Sequence, residues 1–392
     1  MNNQPPNNEG GANKPKDYDE IIQKEDLIDI QQLHQAELIQ DLQTLLFEIT
    51  QDKLETSLHK ILTSIFISEG KYIAQLSRNI FFAARFRPMK IELLSDFVTV
   101  LISHASPDNF IGHLKISLLQ LFFDKAFHDE HSYKETWRYF FLYQLLKRNV
   151  FTDIEIIDQI RQFHSKYIVE KKEIGLFKIM NAWFAPEIEK NAPDLFSLFF
   201  PPTVTKPEEN SCLEIDQTES SELPFIFQGN DEDETRVFDI LRNQGYTREI
   251  LQNNDWELYR QCREWGYTVS PLILSLLSDN DDQLQKLSSD PDFDVDLMID
   301  PSLFSRATIL QDSTSPICFA AAVGAVKCFR FLLISNANLD YETWNEYSTT
   351  IASFAVAGGN YEIVRLLDQK KRSFNEALFV AVQYHQTSIF KW

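Results

Sequence analysis

Glycine is scarce in this chain, with 11 among 392 residues, where an ordinary composition holds about 7 %. Tight hairpins and glycine-rich phosphate loops both draw on that residue, so few places can hold them. No run of about 18 apolar residues occurs, which leaves no candidate membrane span. Cysteine is rare too. Cys212, Cys262, Cys318 and Cys328 show no C-x-x-C spacing, so neither a disulfide framework nor a zinc knuckle is expected, and the thiols suit a reducing compartment. Positive charge is the next shortage. Lysine and arginine number 37 against 58 acids, a net charge of −21, which disfavours a broad nucleic-acid surface. The sequence has no G-x-x-x-x-G-K-[ST], no G-x-G-x-x-G after a strand and no G-x-S-x-G. Met1–Lys16 is rich in Asn, Pro and Gly without an apolar core. It reads as a disordered tail rather than a signal or transit peptide.

The acids are unevenly placed. Thr203–Arg236 holds ten against Lys206 and Arg236, and Ser278–Asp300 holds eight Asp against Lys286. Such stretches either keep the chain soluble or meet a basic partner. Phenylalanine is abundant, at 31 residues, and pairs at Phe81-Phe82, Phe122-Phe123, Phe140-Phe141 and Phe199-Phe200. With long runs of Leu, Ile, Gln, Lys and Glu, this points to broad apolar faces on helices.

From residue 17 to about 202 the chain reads as a string of amphipathic helices. Ser132-x-x-Glu135 and Thr152-x-x-Glu155 have the capping-box spacing. Pro88, after Arg85-Phe86-Arg87, should part a helix over 80–84 from one over 91–102. Pro201-Pro202 closes this half. Residues 203–236 read as an acidic linker, with the apolar insert Leu223–Phe227 able to dock on the protein's own surface or on a partner.

Ser315 to Leu339 carries a different pattern: Ser-Pro-Ile-Cys-Phe-Ala-Ala-Ala-Val-Gly, then Phe-Leu-Leu, then Asn-Ala-Asn-Leu. Pro316 suits a first helical turn after the N-cap Ser315. Ala320 and Ala321 allow close helix packing, Gly324 allows a left-handed stop, and Leu332 and Leu333 bury a second helix. This segment resembles an ankyrin repeat. Cys318 stands where that family usually has His, and Asn336 where it has its second Gly. Thr350–Leu367 repeats the pattern through Ala355, Gly359, Leu366 and Leu367, with Gly359 lying 35 residues after Gly324. Residues 376–392 form a third copy with His385 at the Gly position, stopping inside its second helix. Ser270-Pro271-Leu272, with Asp279 at the Gly position, opens a degenerate copy.

Three further stretches, Phe141–Thr152, Asp296–Asp312 and Gly324–Leu333, are similar to an expanded flagellate-protist (trichomonad-type) family. Its members place a helical N-terminal domain ahead of ankyrin repeats. The resemblance implies no catalytic residues.

Other patterns fall short of chemistry. His128-Asp129-Glu130-His131 spaces its histidines by three rather than four. Asp290-x-Asp292-x-Asp294-x-Asp296 begins like a calcium loop, but Val295 and Pro301 fill the places that need Gly and Glu. Lys370-Lys371-Arg372 fits a helix C-terminus, with a localisation signal as the alternative.

The expected fold is all-α: a disordered tail over 1–16, a helical N-terminal domain over 17–202 (α-solenoid-like or an irregular bundle), and the linker over 203–236. A helical lead-in with the degenerate repeat follows over 237–314, then a short ankyrin stack over 315–392. The expected role is a non-catalytic, intracellular and mainly cytoplasmic scaffold for a protein partner, with no cofactor, metal, membrane or nucleic acid. On ankyrin geometry its site is the concave face and finger: Thr314, Ala322, Val323, Tyr341, Glu342, Trp344, Asn345, Thr349, Ala357 and Tyr384. Two other roles stay open, a substrate-selecting adaptor of a larger machinery such as a ubiquitin ligase, and an enzyme with a cryptic site in the helical half. Ile389, Phe390 and Trp392 have no cap, which predicts self-association through that end.

Overall fold

The computed structural model describes residues 18–124, 135–168, 174–199, 248–340 and 349–392. The tail over 1–16, the acidic linker, the Leu223–Phe227 insert, Cys212, Ser132 of the first capping box and the 128–131 histidines lie outside them. The described residues are mostly helical and include no strand, as the all-α reading expects. A single-residue antiparallel bridge joins Ile299 to Thr314.

The first half runs α1 (Tyr18–Phe47), α2 (Leu54–Leu62), α3 (Ile65–Ser68), α4 (Ile73–Phe86), α5 (Ile91–Ser103), α6 (Ile111–Phe123), α7 (Thr136–Lys147), α8 (Asp153–Phe163), α9 (Ile174–Trp183), α10 (Ala185–Asn191) and α11 (Pro193–Phe199). Pro88 parts α4 from α5 as its ring requires: Arg87 before it is pushed to φ −129° and out of the helical region. Thr152 and Glu155 form both bonds of the capping box that starts α8. The phenylalanine pairs straddle helix faces differently. Phe140 and Phe141 are both buried because α7 is surrounded, packing against α4, α5, α6 and α9.

A polar cluster threads this core. Glu135 lies 3.2 Å from both Arg85 on α4 and Arg138 on α7, and Glu135 and Arg138 are fully buried. Burial works against the Arg138 charge and lowers its pKa, with the Glu135 charge opposing. Removing one member would strand the others in a low-dielectric core, a costly change.

The second half begins with α12 (Arg248–Trp265), which is two pieces joined at a break where Asn254, Asp255 and Trp256 have positive φ. Trp256, Tyr259 and Cys262 of α12, with Leu303 and Phe304 further on, belong to the first core. Within 248–314, Trp256, Tyr259, Cys262, Leu303 and Phe304 thus pack with the helical half. Arg263 fixes α12 to α10 by a bidentate pair with Glu187 at 2.8 and 2.9 Å. Burial opposes the Arg263 charge, but Glu187, with Tyr143 and Tyr259, outweighs it and the pKa is raised. The 302–311 seam is tied down by Trp183 Nε1 to Leu303 O (2.9 Å), Thr136 Oγ1 to Ser305 O (2.7 Å) and Arg306 to Glu92 (2.7 Å).

Four helix pairs follow: α13 (Pro271–Leu277) with α14 (Asp281–Leu287), α15 (Pro316–Val323) with α16 (Val326–Ile334), α17 (Ile351–Gly358) with α18 (Tyr361–Gln369), and α19 (Ala377–Gln383) with α20 (Thr387–Lys391). The first helices stack in order, α13 on α15 on α17 on α19, and the second helices stack beside them, α14 on α16 on α18. Each pair turns through a left-handed residue: Asp279 (φ 49°), Gly324 (φ 75°), Gly359 (φ 68°) and His385 (φ 50°). Two of these are not glycine and hold a conformation that costs them energy, so the surrounding packing imposes it.

Candidate interaction surface

The residues with repeat signatures occupy the second core. Pro316 starts α15, Ala320, Ala321, Leu332, Ala355 and Leu367 are buried, and Leu333 and Leu366 pack against them half-buried. Ser315 takes the extended backbone of an N-cap but makes no cap bond. Burial pushes the Cys318 thiol up to about 12. Successive layers are laced at their turns. Asn360 Nδ2 reaches Gly324 O at 3.4 Å, Gln386 Nε2 reaches Ala357 O at 3.3 Å, and Asp279 accepts from Cys328 N at 3.0 Å. Gly358 makes the closest approach: a Cβ there would lie 2.2 Å from Ala321 O.

The expected partner-facing residues are not all open. Tyr341, Glu342, Trp344 and Asn345 lie outside the described residues. Val323 and Thr349 are half-buried. Thr314, Ala322, Ala357 and Tyr384 are buried. For Thr314 the cause is the bridge to Ile299 and a bond from its Oγ1 to Asp312 O at 2.8 Å. For Tyr384 it is the helical half, whose Phe86 ring meets it edge-on at 6.0 Å. Burial pushes the Tyr384 phenol up to about 12, against the pull of the Arg85 charge. Thr314 and Tyr384 thus serve packing, while Ala322 and Ala357 line a cleft where the stack faces the first half.

That cleft is what sequence reasoning missed. It encloses about 340 Å³ between Ala322, the 357–359 turn and the 385–388 segment on one side, and the end of α1, Lys53 and the α4–α5 connection on the other. Arg87 is its keystone. Its Nε donates to Phe47 O (3.2 Å), Nη1 to Tyr384 O (2.6 Å) and Nη2 to His385 O (3.0 Å). Lys90 Nζ donates to Phe47 O (3.2 Å) and Ile49 O (2.8 Å), satisfying carbonyls at the end of α1. The His385 ring stacks on Phe47 with centroids 4.2 Å apart. Burial lowers Arg87 to about 10, opposed only by Glu48. Burial also lowers Lys90, and the charges of Arg87 and Lys53 add to that. Burial, then the Arg87 charge, lowers His385. Nothing in local sequence pattern announces these contacts, because Arg87 and Tyr384 are 297 residues apart.

The other patterns resolve structurally. Asp290 accepts from Asp292 N at 3.0 Å, Asp294 from Asp296 N at 2.9 Å, and Asp296 from Asn338 N at 2.8 Å; these carboxylates shape turns. Lys370 and Lys371 follow the end of α18, and Arg372 pairs with Asp340. Cys262, Cys318 and Cys328 are buried free thiols. Among the described residues no three His, Cys, Asp or Glu side chains gather as metal ligands, and no helix is long and apolar enough to cross a membrane. Compared with protein-family models and with curated proteins, the chain matches none.

Proposed function

We propose that the chain is a non-catalytic scaffold that binds a protein partner through a short ankyrin-type stack, in a reducing cytoplasmic setting. One observation carries the reading. Four successive helix pairs turn through a left-handed residue at the same place, and two of those residues are not glycine. A repeated backbone imposed across divergent residues is the mark of a stacked repeat, and such stacks present long surfaces suited to binding. The buried thiols, with Cys262 pushed up to about 11 by burial, fit packing rather than nucleophilic work.

The proposed contact surface comprises Tyr341, Glu342, Trp344 and Asn345, which lie outside the described residues, the partly open Val323 and Thr349, and Ala322 and Ala357 of the cleft. Tyr341 and Trp344 are the proposed anchors, since aromatic side chains dominate binding energy. Replacing both with Ala in the full chain should weaken partner capture by about 2 kcal/mol or more, the range of anchor residues. Undiminished capture would remove the finger from the site.

A further inference from the structure

The cleft beside Arg87 is locally basic. The protein carries −21 overall, yet this wall presents Lys53, Arg87 and Lys90 against the single acid Glu48. Arg87 and Lys90 form no ion pair with any described carboxylate; their partners are backbone carbonyls. Three guanidinium or ammonium donors are occupied at Arg87 and two at Lys90, so a guanidinium has two N–H groups left and an ammonium one. Lys53 is exposed. Three cations held at the rim of a cleft against one acid, Glu48, repel one another, which an acidic occupant would relieve.

We propose that this cleft receives an acidic peptide segment of the partner protein, its carboxylates seated on Lys53, Arg87 and Lys90. The proposal rests on the scaffold reading and gives its partner a chemistry. Two features favour spaced carboxylates over one compact phosphate. The cations stand on separate elements, at the start of α2 and on either side of Pro88. One helix start on the cleft, that of α18 at Tyr361, has already given the N–H groups of Glu362 and Ile363 to the Asn360 side chain. The neighbouring walls carry Phe86, Met89 and Tyr361, which suit the apolar flank of an extended chain rather than a bare ion.

The test is fluorescence anisotropy on the full chain with a labelled octaglutamate peptide, an octalysine peptide as counterpart and inorganic phosphate as competitor. Octaglutamate should bind in a salt-sensitive manner, octalysine should not bind at this cleft, and millimolar phosphate should fail to displace the peptide. Lys53→Glu, the reversal of one exposed charge, should weaken octaglutamate binding about tenfold, about 1.4 kcal/mol. This change spares the fold, because an acid suits the N-terminus of α2 where Lys53 sits. Lys286→Glu, on the distant α14, removes the same net charge and should leave binding nearly unchanged. Equal losses in the two variants, absence of octaglutamate binding, or displacement by phosphate would each overturn the acidic-peptide assignment. Partner capture that persists alongside such a failure would leave the scaffold reading standing, whereas loss of capture on changing Tyr341 and Trp344 bears on the scaffold alone.

Discussion

Arg87 and Tyr384 are joined by a 2.6 Å hydrogen bond from guanidinium to backbone carbonyl across 297 residues of sequence. The same guanidinium holds His385 O and Phe47 O, so one side chain spans the end of α1, the α4–α5 connection and the last helix pair. Arg87→Ala removes three charge-assisted bonds and leaves their carbonyls to water. The expected cost is about 2–4 kcal/mol, set by the unmet acceptors more than by the charge. Urea denaturation of the full chain checks it, and a loss below about 0.5 kcal/mol, the noise of ordinary surface changes, would deny Arg87 its role.

Gly324 at a turn and Gly358 at the end of α17 should fail in different ways. At Gly324 a side chain has room, its nearest neighbour being Asn360 at 3.8 Å, but φ is +75°. Gly324→Val therefore costs backbone strain of about 1–3 kcal/mol. At Gly358 a Cβ would meet the backbone oxygen of Ala321 at 2.2 Å, which cannot yield without moving α15 from α17. Gly358→Ala should be at least as damaging as Gly324→Val despite being the smaller change. Thermal unfolding of both variants decides it; a Gly358→Ala protein as stable as the parent would contradict this packing.

Protonation of His385 should loosen the contact with the first half. Its folded pKa is lowered, by burial first and the Arg87 charge second, so the fold favours the neutral ring. The stabilising contribution is complete above the ordinary histidine value of 6.5 and is lost as pH falls through the lowered folded value. Arg87 and Lys90, facing the ring's surroundings from the α4–α5 connection, and Glu48 on the other flank set the local field. In an NMR titration the His385 midpoint should lie below 6.5, and Arg87→Gln should raise it. A midpoint above 6.5 would contradict the burial of the ring, and one indifferent to Arg87 would contradict that charge's part in the shift.

Much of this architecture was legible locally. The Thr152 box, the break at Pro88, and the left-handed stops at Gly324 and Gly359 are short-range chemistry, and residue identity decides them. Asp279 and His385 were legible only through alignment with their glycine counterparts, because nothing intrinsic to Asp or His demands a positive φ. The placement of α12 in the first core was illegible: Trp256, Tyr259 and Cys262 give no sign of which of two apolar cores they will join. The burial of Tyr384 was hidden for the same reason. An isolated stack would leave that position open, and only the docking of Phe86 and Arg87 closes it.

The last helix pair exposes a face that earlier pairs bury. Seven, six and three residues before each turn stand Ile317, Cys318 and Ala321 in one layer and Ala352, Ser353 and Val356 in the next, all 2 % exposed or less. The matching Leu378, Phe379 and Val382 are 49, 83 and 60 % exposed. A face shaped for another helix pair invites the same face of a second copy. Sedimentation across a concentration series should show reversible dimerisation of this chain, abolished by Phe379→Glu with Val382→Glu. A parent chain that stays monomeric throughout would disprove the pairing.

Affinity capture from the native cell extract tests the central claim most directly, comparing the full-length chain with its Tyr341→Ala, Trp344→Ala double variant and with Lys53→Glu. The scaffold account predicts a discrete protein partner, retained by the parent chain and depleted by the double variant, and carrying an acidic segment whose capture Lys53→Glu weakens. A partner set unchanged across all three proteins, each equally folded by circular dichroism, would contradict it.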